Sequence, residues 1–204
     1  MGIGYNAAGL TTTGGNNVAI GSNALYDNTT SNNQVAVGYN ALQNATGGSN
    51  TAVGKNAGEN ITTGVQNICI GIDSNPSSAS SNNQCTLGGS NITNLRCNDT
   101  SISSLSDRRD KTDIIDLTAG LKFLNSLRPR QFKWKTRDGN IKDGLVRAGF
   151  IAQELQEAQK DSDFLDLVLD DNPDKLEAKQ EHLIPVLVKA IQELSAKVAV
   201  LEAA

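Results

Sequence analysis

The chain has 204 residues and a net charge of -4, enough for one or two domains, and nothing in that balance points to nucleic acid or an anionic membrane surface. No apolar run approaches 18 residues, so no membrane span is expected, and no basic segment followed by an apolar stretch opens the sequence. Three cysteines, Cys69, Cys85 and Cys97, form no CxxC pair and have no nearby histidine, which argues against zinc and for free, reduced thiols.

The composition changes near residue 100. Residues 1–106 hold 15 of the 19 glycines and 19 of the 22 asparagines but only 6 charged residues, whereas all Phe and Trp follow. The first part has too few large side chains for an ordinary core, so its burial must come from repetition or from other chains. VAIGSNAL (Val18 to Leu25), VAVGYNAL (Val35 to Leu42) and TAVGKNAG (Thr51 to Gly58) are copies of one unit. Gly4, Gly21, Gly38, Gly54, Gly71 and Gly88 mark it at spacings of 17, 17, 16, 17 and 17. A constant short period predicts a solenoid with one strand per rung. Alternation puts Val18 and Ile20 on one face and Ala19 on the other, and one coil is expected to bury a thin line of Val and Ile. Asn6, Asn23, Asn40 and Asn56, each two residues after its glycine, are expected to stack as an amide ladder. The units resemble the head repeats of trimeric autotransporter adhesins. The resemblance covers about residues 1–91 and implies an all-β, left-handed parallel β-roll that trimerises.

The second part reads as mixed α and β. Thr118 to Leu127 is expected to be helical, with Leu117, Leu121, Leu124 and Leu127 on one side and Pro129 ending it. Gln131 to Lys135 alternates as a half-buried strand carrying Phe132 and Trp134, and Asp138-Gly139 marks a turn. A short strand at Gly149 to Ile151 leads into a helix through Gln159. Asp170 to Asp174 is a turn lacking the ligand pattern of a calcium loop. Ile184, Leu187, Ile191, Leu194, Val198 and Leu201 advance by 3, 4, 3, 4, 3, an a/d seam compatible with a dimer or a trimer, and an amphipathic helix packed on its own domain also fits three heptads.

The junction reads Leu105-Ser106-Asp107-Arg108-Arg109-Asp110-Lys111. A serine is a weak nucleophile unless a base takes its proton, and a lysine serves when burial favours its neutral amine. Spacing alone does not separate such a pair from a solvated polar linker. SDRRDKTDI, GLKFLNSLRPRQFKWK, GFIAQEL and HLIPVLVKAIQEL, in that order, resemble the intramolecular chaperone of phage tailspikes and tail fibres, the peptidase S74 family, with relatives among myelin regulatory factor-like proteins. The resemblance covers about residues 105–204. It implies a module that templates trimer folding and then releases itself, with Ser106 as nucleophile, Lys111 as general base and Ser106–Asp107 as the bond cut. No cofactor and no metal site are expected from the sequence. Asp110 stands where the family often carries an apolar residue, and Glu181-His182 replaces an aromatic. His182 reads as structural.

The organisation expected is a β-roll shaft over 1–100, a linker over 101–106, and a chaperone module over 107–204 whose coiled coil spans 183–203. The function expected is the end of a phage tail fibre or tailspike. Its partners are two copies of itself and a host-surface receptor met through the shaft. Its place is the virion, after assembly in the host cytoplasm. The competing readings are a non-cleaving trimeric adhesin stalk with an inert trimerisation domain and, less well supported, a cleaved regulatory protein, for which no DNA-binding segment is present. If the cut follows Ser106, attack by its hydroxyl on its own carbonyl closes a four-membered ring. Attack on the Leu105 carbonyl closes a five-membered ring, Asp107 attacking the Ser106 carbonyl closes a six-membered one, and a serine of another chain needs no ring. The sequence leaves these routes open.

Overall fold

The structure is a computed structural model that describes residues 1–98, 102–135 and 141–204, with the side chains of 141–143 outside that description. The chain divides into two compact units, Met1–Ser101 and Ile102–Ala204. The Asp138-Gly139 turn lies outside the described residues.

The first unit is a parallel solenoid. Its strands are β1 (Gly2–Ile3), β2 (Val18–Ile20), β3 (Val35–Val37), β4 (Thr51–Val53), β5 (Ile68–Ile70) and β6 (Cys85–Leu87). They pair in chain order, each beside the next. The register follows the repeat: Val18, Ala19 and Ile20 stand beside Val35, Ala36 and Val37, and Ala52 stands beside Cys69. After each strand the glycine adopts positive φ, 138° at Gly38, and a Cβ there would lie 2.3 Å from the carbonyl oxygen of Gly54. Only glycine tolerates both the dihedral and the approach of the next rung.

The alternation of faces holds, but the inner face is the opposite of the one expected. Ala19, Ala36, Ala52 and Cys69 are fully buried, together with Leu25, Leu42 and Ile61 from the turns. A coil of 16 or 17 residues leaves room across its interior for a methyl or a thiol opposite those leucines. The larger Val and Ile are therefore on the outside. Val53, Ile68, Ile70 and Leu87 are 40 to 53% exposed, and they line up along one face of the sheet.

The asparagine ladder forms in part. Asn23 Nδ2 donates to Asn40 Oδ1 at 3.2 Å and Asn56 Nδ2 to Asp73 Oδ1 at 2.8 Å, while Asn56 Oδ1 is left without a partner. A second, buried ladder runs inside the coil. Asn17, Asn50 and Asn67 each present a side-chain oxygen to the backbone N–H one rung on, at Gln34, Asn67 and Gln84, all at 3.0 Å. Asn50 Nδ2 donates to the carbonyls of Gly47 and Gly64, and Asn67 Nδ2 to that of Ser81. These bonds satisfy turn carbonyls that have no strand partner, the condition for burying irregular backbone.

The three cysteines stand as free thiols, Cys69 buried and Cys85 and Cys97 exposed. Cys69 occupies the alanine line and Cys85 the outer valine line. Burial, with a smaller contribution from Cys85, pushes the Cys69 thiol up to about 11. The thiolate is the reactive form. Iodoacetamide at pH 8 should therefore modify Cys97 and spare Cys69, read as site occupancy by peptide mass spectrometry. Modification of Cys69 at the rate of Cys97 in the folded protein would contradict this placement.

The second unit packs short elements on one long helix. α1 (Leu121–Leu124) is followed by the antiparallel pair β7 (Arg130–Lys135) and β8 (Ile141–Gly149), then α2 (Ala152–Ala158), the pair β9 (Val168–Leu169) and β10 (Glu177–Ala178), and α3 (Leu183–Glu202). The core joins Ala119, Leu155, Leu165, Leu167, Val168, Leu183 and Val186. The helix expected over 118–127 is reduced to one turn. Gly120 packs so close to the Glu193 carboxylate that a Cβ would meet Oε1 at 2.4 Å, and that carboxylate accepts the Leu121 N–H at 2.8 Å. The tertiary bond fixes where the turn begins. The strand expected at 149–151 lies earlier, over Ile141–Gly149, paired with β7 at Val146–Gly149 and again at Ile141, with a register shift between Lys133 and Lys135. Asp170 to Asp174 is a turn, as expected.

Candidate functional site

The candidate site is local to the start of the second unit. Asp107 has extended backbone (φ -67°, ψ 137°) and caps a single 3-10 turn, Arg108–Asp110, after which Lys111 resumes extended backbone (φ -129°, ψ 142°). One turn of this kind reverses the chain enough for residue 111 to reach residue 106. Lys111 Nζ lies 2.5 Å from Ser106 Oγ, within the reach of direct proton transfer. The sequence offered no physical reason for a five-residue spacing, and the capped turn supplies one. Arg109 forms an ion pair with Asp107 at 2.6 Å and holds its carboxyl below the usual carboxylate range, chiefly through the side-chain bonds.

The site is open in the single chain. Every residue from Ile102 to Asp116 is exposed, including Ile102 (95%), Leu105 (101%) and Ile115 (83%). Large apolar side chains on both flanks of the Ser106–Lys111 pair have no cover within their own unit.

Helix α3 presents two faces. Leu183, Val186 and Ala190 are buried against the rest of the unit. Ile184, Leu187, Ile191, Leu194, Val198 and Leu201 are all between 42 and 75% exposed. The a/d seam is therefore not the face that packs on its own domain.

Further from the pair, Arg130 holds Glu154 through two side-chain bonds, with Arg128 beside it, and this ties β7 to α2. Arg130 keeps the Glu154 carboxyl below the ordinary range. His182 faces the Leu165 carbonyl oxygen at 3.2 Å and stands 3.9 Å from Asp166, linking the base of α3 to the core. Among the described residues no group of three or more His, Cys, Asp or Glu is placed to hold a metal ion, and no helix is long and apolar enough to cross a membrane.

Residues 106–166 match the peptidase S74 family model, described as the chaperone of endosialidase. The matched stretch opens on Ser106 and takes in the capped turn, α1, both strands of the β7–β8 pair and α2 of the second unit. No curated protein and no solved structure matches the chain.

Proposed function

We propose that this chain is the end of a phage tail fibre or tailspike in which the second unit assembles three copies of a left-handed β-roll and is then cut away at Ser106–Asp107. The observation that carries this reading is the 2.5 Å approach of Lys111 Nζ to Ser106 Oγ at the first residue of the chaperone-family match. Two uncovered apolar surfaces support a homotrimer: the Val/Ile line of the solenoid and the a/d seam of α3. Each removes large apolar area from water only against another copy. In the virion, the shaft so formed would meet a host-surface receptor.

The chemistry needs no metal or cofactor. Neutral Lys111 accepts the proton of Ser106 Oγ, and the oxygen adds to the Ser106 carbonyl carbon of a neighbouring chain. This route avoids the four-membered ring that attack within one chain would require. The C–N bond to Asp107 breaks, and the amine leaves with the proton that Lys111 carried. Water then hydrolyses the ester, freeing the Ser106 carboxylate and restoring the hydroxyl. Trimer closure over residues 102–116 supplies the trigger by shutting the Ser106–Lys111 pair away from water.

The test follows freshly purified protein by light scattering and denaturing electrophoresis, with mass spectrometry of the new N-terminus. The expected result is a trimer whose chains resolve into two pieces of about half length, the second beginning at Asp107. A piece beginning at Ser106 would move the attack to the Leu105 carbonyl. A permanently uncut trimer would assign the chain to the structural-stalk reading, and a monodisperse monomer at micromolar concentration would end both.

A further inference from the structure

The turn that carries Lys111 to Ser106 is built around one carboxylate. Asp107 Oδ1 accepts the backbone N–H of Arg109 at 2.8 Å. The Arg109 side chain then closes on the same carboxylate, with Nε 3.1 Å from Oδ1 and 3.2 Å from Oδ2, and Nη2 2.6 Å from Oδ2. Two backbone bonds complete the turn, from the Asp110 N–H to the Asp107 carbonyl and from the Lys111 N–H to the Arg108 carbonyl, each 3.2 Å. With all of residues 102–116 exposed, packing within the unit does not hold this segment.

We propose that Asp107, clasped by Arg109, is the positioning residue of the Ser106–Lys111 pair. The clasp has two consequences for the cleavage proposed above, on which it rests. It fixes the turn that sets Lys111 Nζ against Ser106 Oγ. It also occupies both carboxylate oxygens of Asp107, so that this side chain does not itself close a six-membered ring on the Ser106 carbonyl. The depressed Asp107 carboxyl agrees with an acceptor that stays ionised at neutral pH. An exposed ion pair of this kind adds little to stability. Its loss should therefore appear in the rate of cutting and not in the melting temperature.

The test measures cleavage half-life, oligomer mass and Tm of the full chain. Asp107→Asn keeps an acceptor for the Arg109 N–H and loses the charged fork, and Arg109→Ala loses the fork without touching the residue that leaves. Each should slow cutting about tenfold, and the double variant should be no slower than either single one, because both remove the same contact. Asp107→Ala loses cap and fork together and should be about a hundredfold slower, the scale of a misplaced catalytic group. Trimer mass and Tm should match the parent in all four. Wild-type rates for Arg109→Ala and Asp107→Ala, or multiplying effects in the double variant, would overturn the clasp while leaving self-cleavage intact. If the parent chain itself never cuts, the cleavage reading fails separately. The clasp is then judged by amide hydrogen exchange at Arg109 and Lys111. Faster exchange in Asp107→Ala than in the parent supports it, and equal exchange refutes it.

Discussion

Ser106→Ala is expected to yield a single full-length band that still runs as a trimer under native conditions, and Lys111→Ala is expected to do the same. The first removes the oxygen that forms the bond. The second removes the amine 2.5 Å from it that takes the proton. General-base assistance by a positioned side chain contributes about 10²–10⁴ in rate, so a half-life of minutes would become one of hours to weeks. Neither side chain is buried, so neither substitution should unfold the unit. Assembly and cutting are thereby separated, because the α3 seam and the solenoid face are untouched. A time course on denaturing gels decides the matter. Ser106→Ala cutting at the parental rate would remove the serine from the chemistry, and Lys111→Ala doing so would remove the base.

A comparably large effect should follow from one methyl group in the shaft. In Gly38→Ala the new Cβ would sit 2.3 Å from the Gly54 carbonyl oxygen and 2.6 Å from its carbon, at a φ of 138°. The dihedral alone costs about 1–3 kcal/mol in a non-glycine residue. The overlap cannot relax by a side-chain turn, because its partner is backbone held in the ladder. The variant should lose the folded shaft, seen as a loss of strand circular dichroism and a drop in soluble trimer by light scattering. Gly144→Ala is the control. Its φ is 69°, but nothing lies within 4 Å of the added carbon, so only the modest dihedral cost applies. Equal trimer yield and Tm for Gly38→Ala and the parent would contradict the stacked-rung contact.

The solenoid was legible in the sequence because its period and its register are the same information: a constant offset between copies says which residues pair. Which face turns inward was not legible. Alternation separates Val18 and Ile20 from Ala19 without stating how wide the coil is, and the interior has room only for the smaller side chain. The buried Asn17, Asn50 and Asn67 ladder was missed, although its members recur with the glycine period and stand just before the strands. That recurrence was the available signal. In the second unit the leucine spacing over 117–127 mimicked a longer helix, because no local pattern announces that Glu193, 72 residues on, accepts the Leu121 N–H. Strand β8 escaped notice for a related reason. Leu145 and Val146, both 57% exposed, are adjacent rather than alternating, so the segment carries no period of two. At the candidate site the residue types were readable and the reason for their spacing was not. That reason is the Asp107 cap, and Asp107-x-Arg109 was its trace in the sequence.

The near identity of the rungs also bears on how such a shaft changes over generations. Each rung bonds to the next through an offset of 16 or 17 residues in the same strand register, so the end of one unit fits the start of any other. Duplication or loss of a whole unit by unequal recombination between the repeated coding segments leaves every remaining contact intact. The shaft then lengthens or shortens by one strand spacing, about 4.8 Å, at a time. The six strands here span five such steps, roughly 24 Å. The rungs here differ in length by at most one residue, 16 against 17, so large insertions within a rung are expected to interrupt the run of glycines. The length of the solenoid is thus adjustable in fixed increments without redesign of the unit that follows it, and a ruler of this kind is available to selection.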